Sequence, residues 1–180
     1  EEFPAKVANY IWDLISSNAE LITRDFETLT SHQEQPPQPQ GELHPSAALL
    51  NAKNIRIEPE AKLDAFTVLD AREGPIWVKR KAHLEPFSYI QGPAVIGENT
   101  RINGAQIRPG VTLGPECRIG GEVEESIFLG YSNKHHSGFV GHSYVSEWVN
   151  FGAQATTSDL KNTYGSVRLE INGRIIDSGL

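Results

Sequence analysis

Lys134, His135 and His136 stand side by side in YSNKHHSG, residues 131–138, and are the residues here best suited to chemistry. An imidazole titrates near neutral pH, so His136 can take a proton from an attacking nucleophile. Acyl transfer from a thioester to an amine needs such a base, because the amine must attack while neutral and then lose a proton. It also needs donors for the oxygen that becomes negative, which backbone N–H groups or a side-chain amide can supply. Lys134, Lys161 and Arg168 could hold a phosphate, but such residues are more often solvated surface charges. His135, His136 and His142 could ligate a metal, but no carboxylate is evident to orient them. The plainer reading of His136 is an exposed loop histidine bonded only to its neighbours.

The sequence around this segment shows what must position it. From Ile96 to Ile119, aliphatic residues fall at Ile96, Ile102, Ile107, Leu113 and Ile119, in steps of six, five, six and six. Small or β-branched residues (Thr100, Ala105, Val111, Cys117) stand two positions before the next aliphatic. A helix repeats every 3.6 residues and a plain strand every 2, so neither fits. A hexapeptide repeat does, and it predicts a parallel β-helix. Each unit is a short strand and a corner, with Gly, Asn or Pro easing the turn. Stacked coils bury the apolar edges that one coil leaves open. The pattern begins loosely near residue 47, breaks between Leu129 and Val140, and resumes at Val140, Val145 and Phe151. The break reads as a loop ejected from a corner, carrying the histidines on a rigid scaffold. Val167, Leu169, Ile171, Ile175 and Ile176 suggest further, less regular strands.

Three segments follow. Residues 1–30 read as a helical connector, with apolar stripes at Val7, Ile11, Leu14, Ile15 and at Leu21, Ile22, Phe26, Leu29. The polar Ser16, Ser17 and Asn18 between them predict two short helices, the second capped by Ser17 or Asn18. Residues 31–46 read as a Pro/Gln-rich linker unable to build a core. Residues 47–180 carry the repeat. The chain has no methionine and ends in repeat-like sequence, which predicts a fragment of a longer protein.

The 180 residues carry 16 Lys and Arg against 23 Asp and Glu, a formal charge of -7. An acidic chain without a basic stripe argues against a nucleic-acid partner. No apolar run is long enough to span a membrane, and no signal peptide is evident, so a cytoplasmic protein is expected. Cys117 stands alone at a small inward position and reads as packing.

The hexapeptide run resembles the acyltransferase superfamily that folds as a left-handed parallel β-helix. GYSNKHHSGFVGHSYVSEWVNFGAQATTSDLKNTYG, residues 130–165, resembles the acetyltransferase half of the bifunctional N-acetylglucosamine-1-phosphate uridylyltransferase/glucosamine-1-phosphate acetyltransferase family. It is similar, more closely, to sugar nucleotidyltransferases related to that enzyme, in which segments like PAKVANYIWDLISSNAELITRDFE join a nucleotidyltransferase domain to the β-helix. The resemblance implies a mainly β fold with an N-terminal helical segment and assembly as a homotrimer. It also implies acetyl-coenzyme A as the acyl donor, a sugar phosphate or nucleotide sugar as acceptor, and no metal in this part. His136 falls where those enzymes place their catalytic base, and Asn150 where they contact the sugar. Phe139 replaces a substrate-binding tyrosine, and Asp159 and Leu160 replace an Asn-Tyr pair. These departures support an alternative: a non-catalytic module that trimerises and regulates a nucleotidyltransferase domain. A zinc-dependent hydratase is a third reading, although the histidine spacing differs from that family's. Trp148 and Tyr144 are expected on the outer face, at subunit contacts.

Overall fold

A computed structural model describes residues 7–31, 38–157, 163 and 165–179. The six-residue steps fold the chain into a parallel β-solenoid of about six turns. Each coil contributes strands to three faces. One face stacks Glu42–Leu43, Lys62–Leu63, His83–Leu84, the first part of Arg101–Ile107, the first part of Arg118–Glu124, and Asn133–Lys134. A second stacks Ala48–Leu50, Val68–Asp70, Tyr89–Gln91, the later parts of the same two long strands, and Phe139–Gly141. The third runs Ile55–Ile57, Ile76–Val78, Ala94–Ile96, Val111–Leu113, Ile127–Phe128 and Tyr144–Val145.

Registry turns the aliphatic period into three interior columns. Leu63, Leu84, Ile102 and Ile119 stack on the first face. Leu69, Ile90, Ile107, Val123 and Val140 stack on the second. Ile57, Val78, Ile96, Leu113, Phe128 and Val145 stack on the third. All of these are buried and form one cluster. The small residues the pattern singled out, Thr100, Ala105, Val111 and Cys117, are buried too.

The corners differ from expectation. Many left-handed corner positions hold bulky residues, among them Phe66, Phe87, Glu116, Tyr131 and Trp148, rather than Gly or Asn. Glycine is needed where coils touch: a Cβ on Gly120 would collide with the carbonyl of His135 in the next coil.

The predicted pair of helices is a single helix, α1 (Ile11–Thr30). Ser16 does not break it, because its hydroxyl donates to the Trp12 carbonyl at 2.7 Å, one turn back. Asn18 does not compete with its own backbone either. Its side chain crosses to the solenoid, donating to Gly110 O at 2.8 Å and accepting from the Thr112 hydroxyl at 2.9 Å. Ile22 and Phe26 are buried, whereas Val7, Ile11, Leu14 and Leu29 of the expected stripes stay exposed. Asn18→Ala removes two hydrogen bonds worth about 1 kcal/mol each. Amides of α1 are then expected to exchange faster while those of the solenoid do not. Unchanged exchange would mean that Ile22 and Phe26 alone hold the helix.

Two further segments depart from the expected boundaries. Glu42–Leu43, within the segment read as linker, already pairs with Lys62–Leu63 as a first strand. Near the C-terminus, Arg168–Ile171 and Arg174–Asp177 form strands, but they pair antiparallel with each other as a separate hairpin.

Asp70 supplies a pH dependence. Its carboxylate is buried and accepts from Arg72 Nε at 2.8 Å and Nη2 at 2.7 Å, and from the Tyr89 hydroxyl at 3.1 Å. The Arg72 guanidinium, above all, holds the carboxyl well below its ordinary range. A carboxyl more acidic in the folded state stabilises the fold above its unfolded pKa, about 3.9, and loses that contribution as pH falls through the folded value. The denaturant midpoint is therefore expected to drop on acidification below about pH 4, and less steeply in Asp70→Asn. Equal slopes would remove Asp70 from this role.

Candidate functional site

The segment from Leu129 to Val140 is not an ejected loop. It is a regular coil, with Asn133–Lys134 paired to Arg118 and Ile119, and Phe139–Gly141 paired to Glu122 through Glu124. Lys134 lies directly over Ile119 and takes the interior slot filled by Leu63, Leu84, Ile102 and Ile119 in earlier coils. Its side chain is 2% exposed. The ammonium donates to the carbonyls of Gly120 at 2.6 Å, His136 at 3.2 Å and Gly138 at 2.8 Å. All three N–H groups are thus used on backbone oxygens, and burial pushes the pKa down. The phosphate-binding expectation for Lys134 is corrected accordingly: its charge faces the prism interior. The signal was present in the sequence, since Phe128, Lys134 and Val140 keep the six-residue step.

The buried lysine ties down the turn that presents the histidines. His135, His136 and Ser137 are exposed. The His136 ring meets the edge of the His135 ring, with centroids 5.1 Å apart at 85°. His135 is anchored by its backbone N–H to Asn133 Oδ1 at 3.1 Å and by Nδ1 to Asn103 Oδ1 at 3.1 Å; Asn103 in turn donates to Glu85 at 2.7 Å. The His136 ring nitrogens make no hydrogen bond to any described residue, so the imidazole is available to a substrate proton.

Asn150 lies one coil further on. It forms a parallel bridge with Asn133, and its Oδ1 accepts from Asn133 Nδ2 at 2.9 Å. This pair links the sugar-contact candidate to the strand that leads into the His136 turn. Phe139 follows the turn on the next face, half-buried, with its ring against Gly141. Lys134, His136, Asn150 and Phe139 therefore lie on two consecutive coils. Asp159, Leu160 and Lys161 lie outside the described residues.

Other candidates are separate. His142 Nε2 is 3.1 Å from Glu125 Oε2, and Arg168 Nε is 3.5 Å from Asp177 Oδ2. Among the described residues, no three His, Cys, Asp or Glu side chains gather as a metal site. Cys117 is buried, and burial raises its pKa. Trp148 is 78% exposed and stacks on Tyr131, with centroids 5.2 Å apart. Tyr144 is half-buried. No helix among the described residues is long and apolar enough to cross a membrane.

No protein-family model matches this chain. It is similar to proteins named bifunctional protein GlmU. The one from Nitrosospira multiformis is 34% identical over 120 residues, covering 63% of this chain and 25% of the relative. The one from Herminiimonas arsenicoxydans is 30% identical over 107 residues, covering 58% and 23%. The one from Acidovorax sp. is 36% identical over 84 residues, covering 43% and 18%. The chain thus spans about a quarter or less of the length of these relatives. The similarity and the β-solenoid are together consistent with a hexapeptide-repeat domain.

Proposed function

We propose that this chain is a GlmU-related, acetyltransferase-like left-handed β-helix domain. It moves an acetyl group from acetyl-coenzyme A to the amine of an amino sugar phosphate or nucleotide sugar. The observation that carries this reading is the exposed imidazole of His136, without a hydrogen bond to any described residue, on a turn joined through Asn133 to Asn150. The relatives named GlmU support it. The neutral amine attacks the thioester carbonyl, and the C–N bond forms as negative charge moves to the carbonyl oxygen. His136 takes the amine proton. Collapse breaks the C–S bond, and the leaving thiolate can receive that proton. Asn150, Phe139 and Asp159 are the proposed sugar contacts. Acetyl-coenzyme A is a substrate in this reading, and no metal takes part. The assembly is a homotrimer, and the location is cytoplasmic.

Calorimetry with acetyl-coenzyme A, alongside the mass in solution, tests the reading. Saturable binding to a trimer is expected. A trimer that binds nothing would favour the second reading, a non-catalytic trimerisation module. One observation favours that alternative: the stacked pairs Tyr131–Trp148 and Phe66–Phe87 are exposed on the corners, as contact residues between copies would be.

A further inference from the structure

An aliphatic side chain fills the slot of Lys134 in the coils before it. Packing therefore does not require a lysine there, and burying an ammonium without a carboxylate is costly unless each proton is bonded. The lysine acts on the backbone it grips. A trans peptide is planar, with its C=O and N–H on opposite edges. Lys134 Nζ holds the His136 carbonyl from inside the prism, at 3.2 Å. The N–H of the same peptide, that of Ser137, is therefore aimed away from the buried ammonium, towards the surface where His136 and Ser137 are exposed. Among the described residues no acceptor takes the Ser137 N–H, nor the flanking N–H groups of His136 and Gly138. Successive unpaired N–H groups in a turn form a concavity suited to negative charge.

We propose that Lys134 is a positioning residue: by holding the His136 carbonyl inside the prism, it presents the Ser137 N–H beside the His136 ring as donor to the oxyanion of acyl transfer. The use of that N–H rests on the acetyl-transfer reading; the orientation of the peptide does not. With Ser137 as donor, the thioester oxygen gains its charge within reach of a fixed N–H while His136 takes the amine proton. Both groups sit on one turn, so one buried side chain aligns both.

Lys134→Leu restores the aliphatic slot and tests this in the full chain. The melting temperature is expected to stay close to wild type, since the same residue type fills this slot in other coils. In the crystal, the His136 carbonyl is expected to turn out of the prism towards water. With acetyl-coenzyme A and glucosamine 1-phosphate as probes, kcat is expected to fall roughly 100-fold, the scale of losing one oxyanion donor. The KM for acetyl-coenzyme A should barely change. An unmoved His136–Ser137 peptide overturns the proposal. So does a variant that loses stability but keeps its kcat, which would mark the lysine as merely structural. If the wild-type chain transfers no acetyl group, the acetyl-transfer reading fails, and the two crystal structures alone decide the positioning. If Lys134→Leu does not fold, Lys134→Met makes the same comparison with a flexible apolar chain.

Discussion

Ile102→Asp is expected to leave no folded protein. Ile102 is fully buried between Leu84 and Ile119, in a column with no polar side chain until Lys134. A carboxylate there only accepts hydrogen bonds, and the parallel ladders already engage the neighbouring backbone N–H groups. An unpaired buried charge costs at least several kcal/mol, against a total stability of about 5–15 kcal/mol for a domain. Lys134 survives in the same column because an ammonium donates, and the carbonyls of Gly120, His136 and Gly138 can all receive it. Soluble yield and a circular-dichroism melt are the readout. The control Ile102→Val should cost only about 1 kcal/mol. A normal melt for Ile102→Asp would undo the inward assignment of this column.

His136→Ala is expected to reduce acetyl transfer by roughly 100- to 10,000-fold, the usual contribution of a positioned general base. Stability should hardly change, because the ring is exposed and, among the described residues, rests only against the edge of His135. Affinity for acetyl-coenzyme A by calorimetry should also be nearly preserved, since a base acts on the amine proton. His135→Ala is the control. That ring is tied to Asn103 through Nδ1 and serves the surface hydrogen-bond row that begins at Glu85. A full rate in His136→Ala would end its assignment as the base, and a larger loss in His135→Ala would move the role to its neighbour.

The interior of the solenoid was legible in the sequence. One aliphatic residue every five or six positions says which side chains face inward, and parallel stacking then places Ile102 over Leu84 and Ile119 over Ile102. The helix was legible from its period, but not its continuity. Ser16 and Asn18 look like helix breakers until Trp12 O and the Gly110–Thr112 strand edge take their side chains. The strands near the C-terminus were legible, but not their antiparallel pairing, because strand character is local and partner choice is not.

The clearest division falls at Lys134. The sequence by itself carried the six-residue step from Phe128 through this position to Val140, but with a lysine there it read as a break in the repeat. Only the tertiary structure decided that a lysine can stay there. The decision depends on three carbonyls: two from its own turn and one, that of Gly120, from the coil below, 14 residues away. Apolar periodicity encodes direction along the chain. The satisfaction of a buried charge is set by groups that become neighbours only when the coils stack.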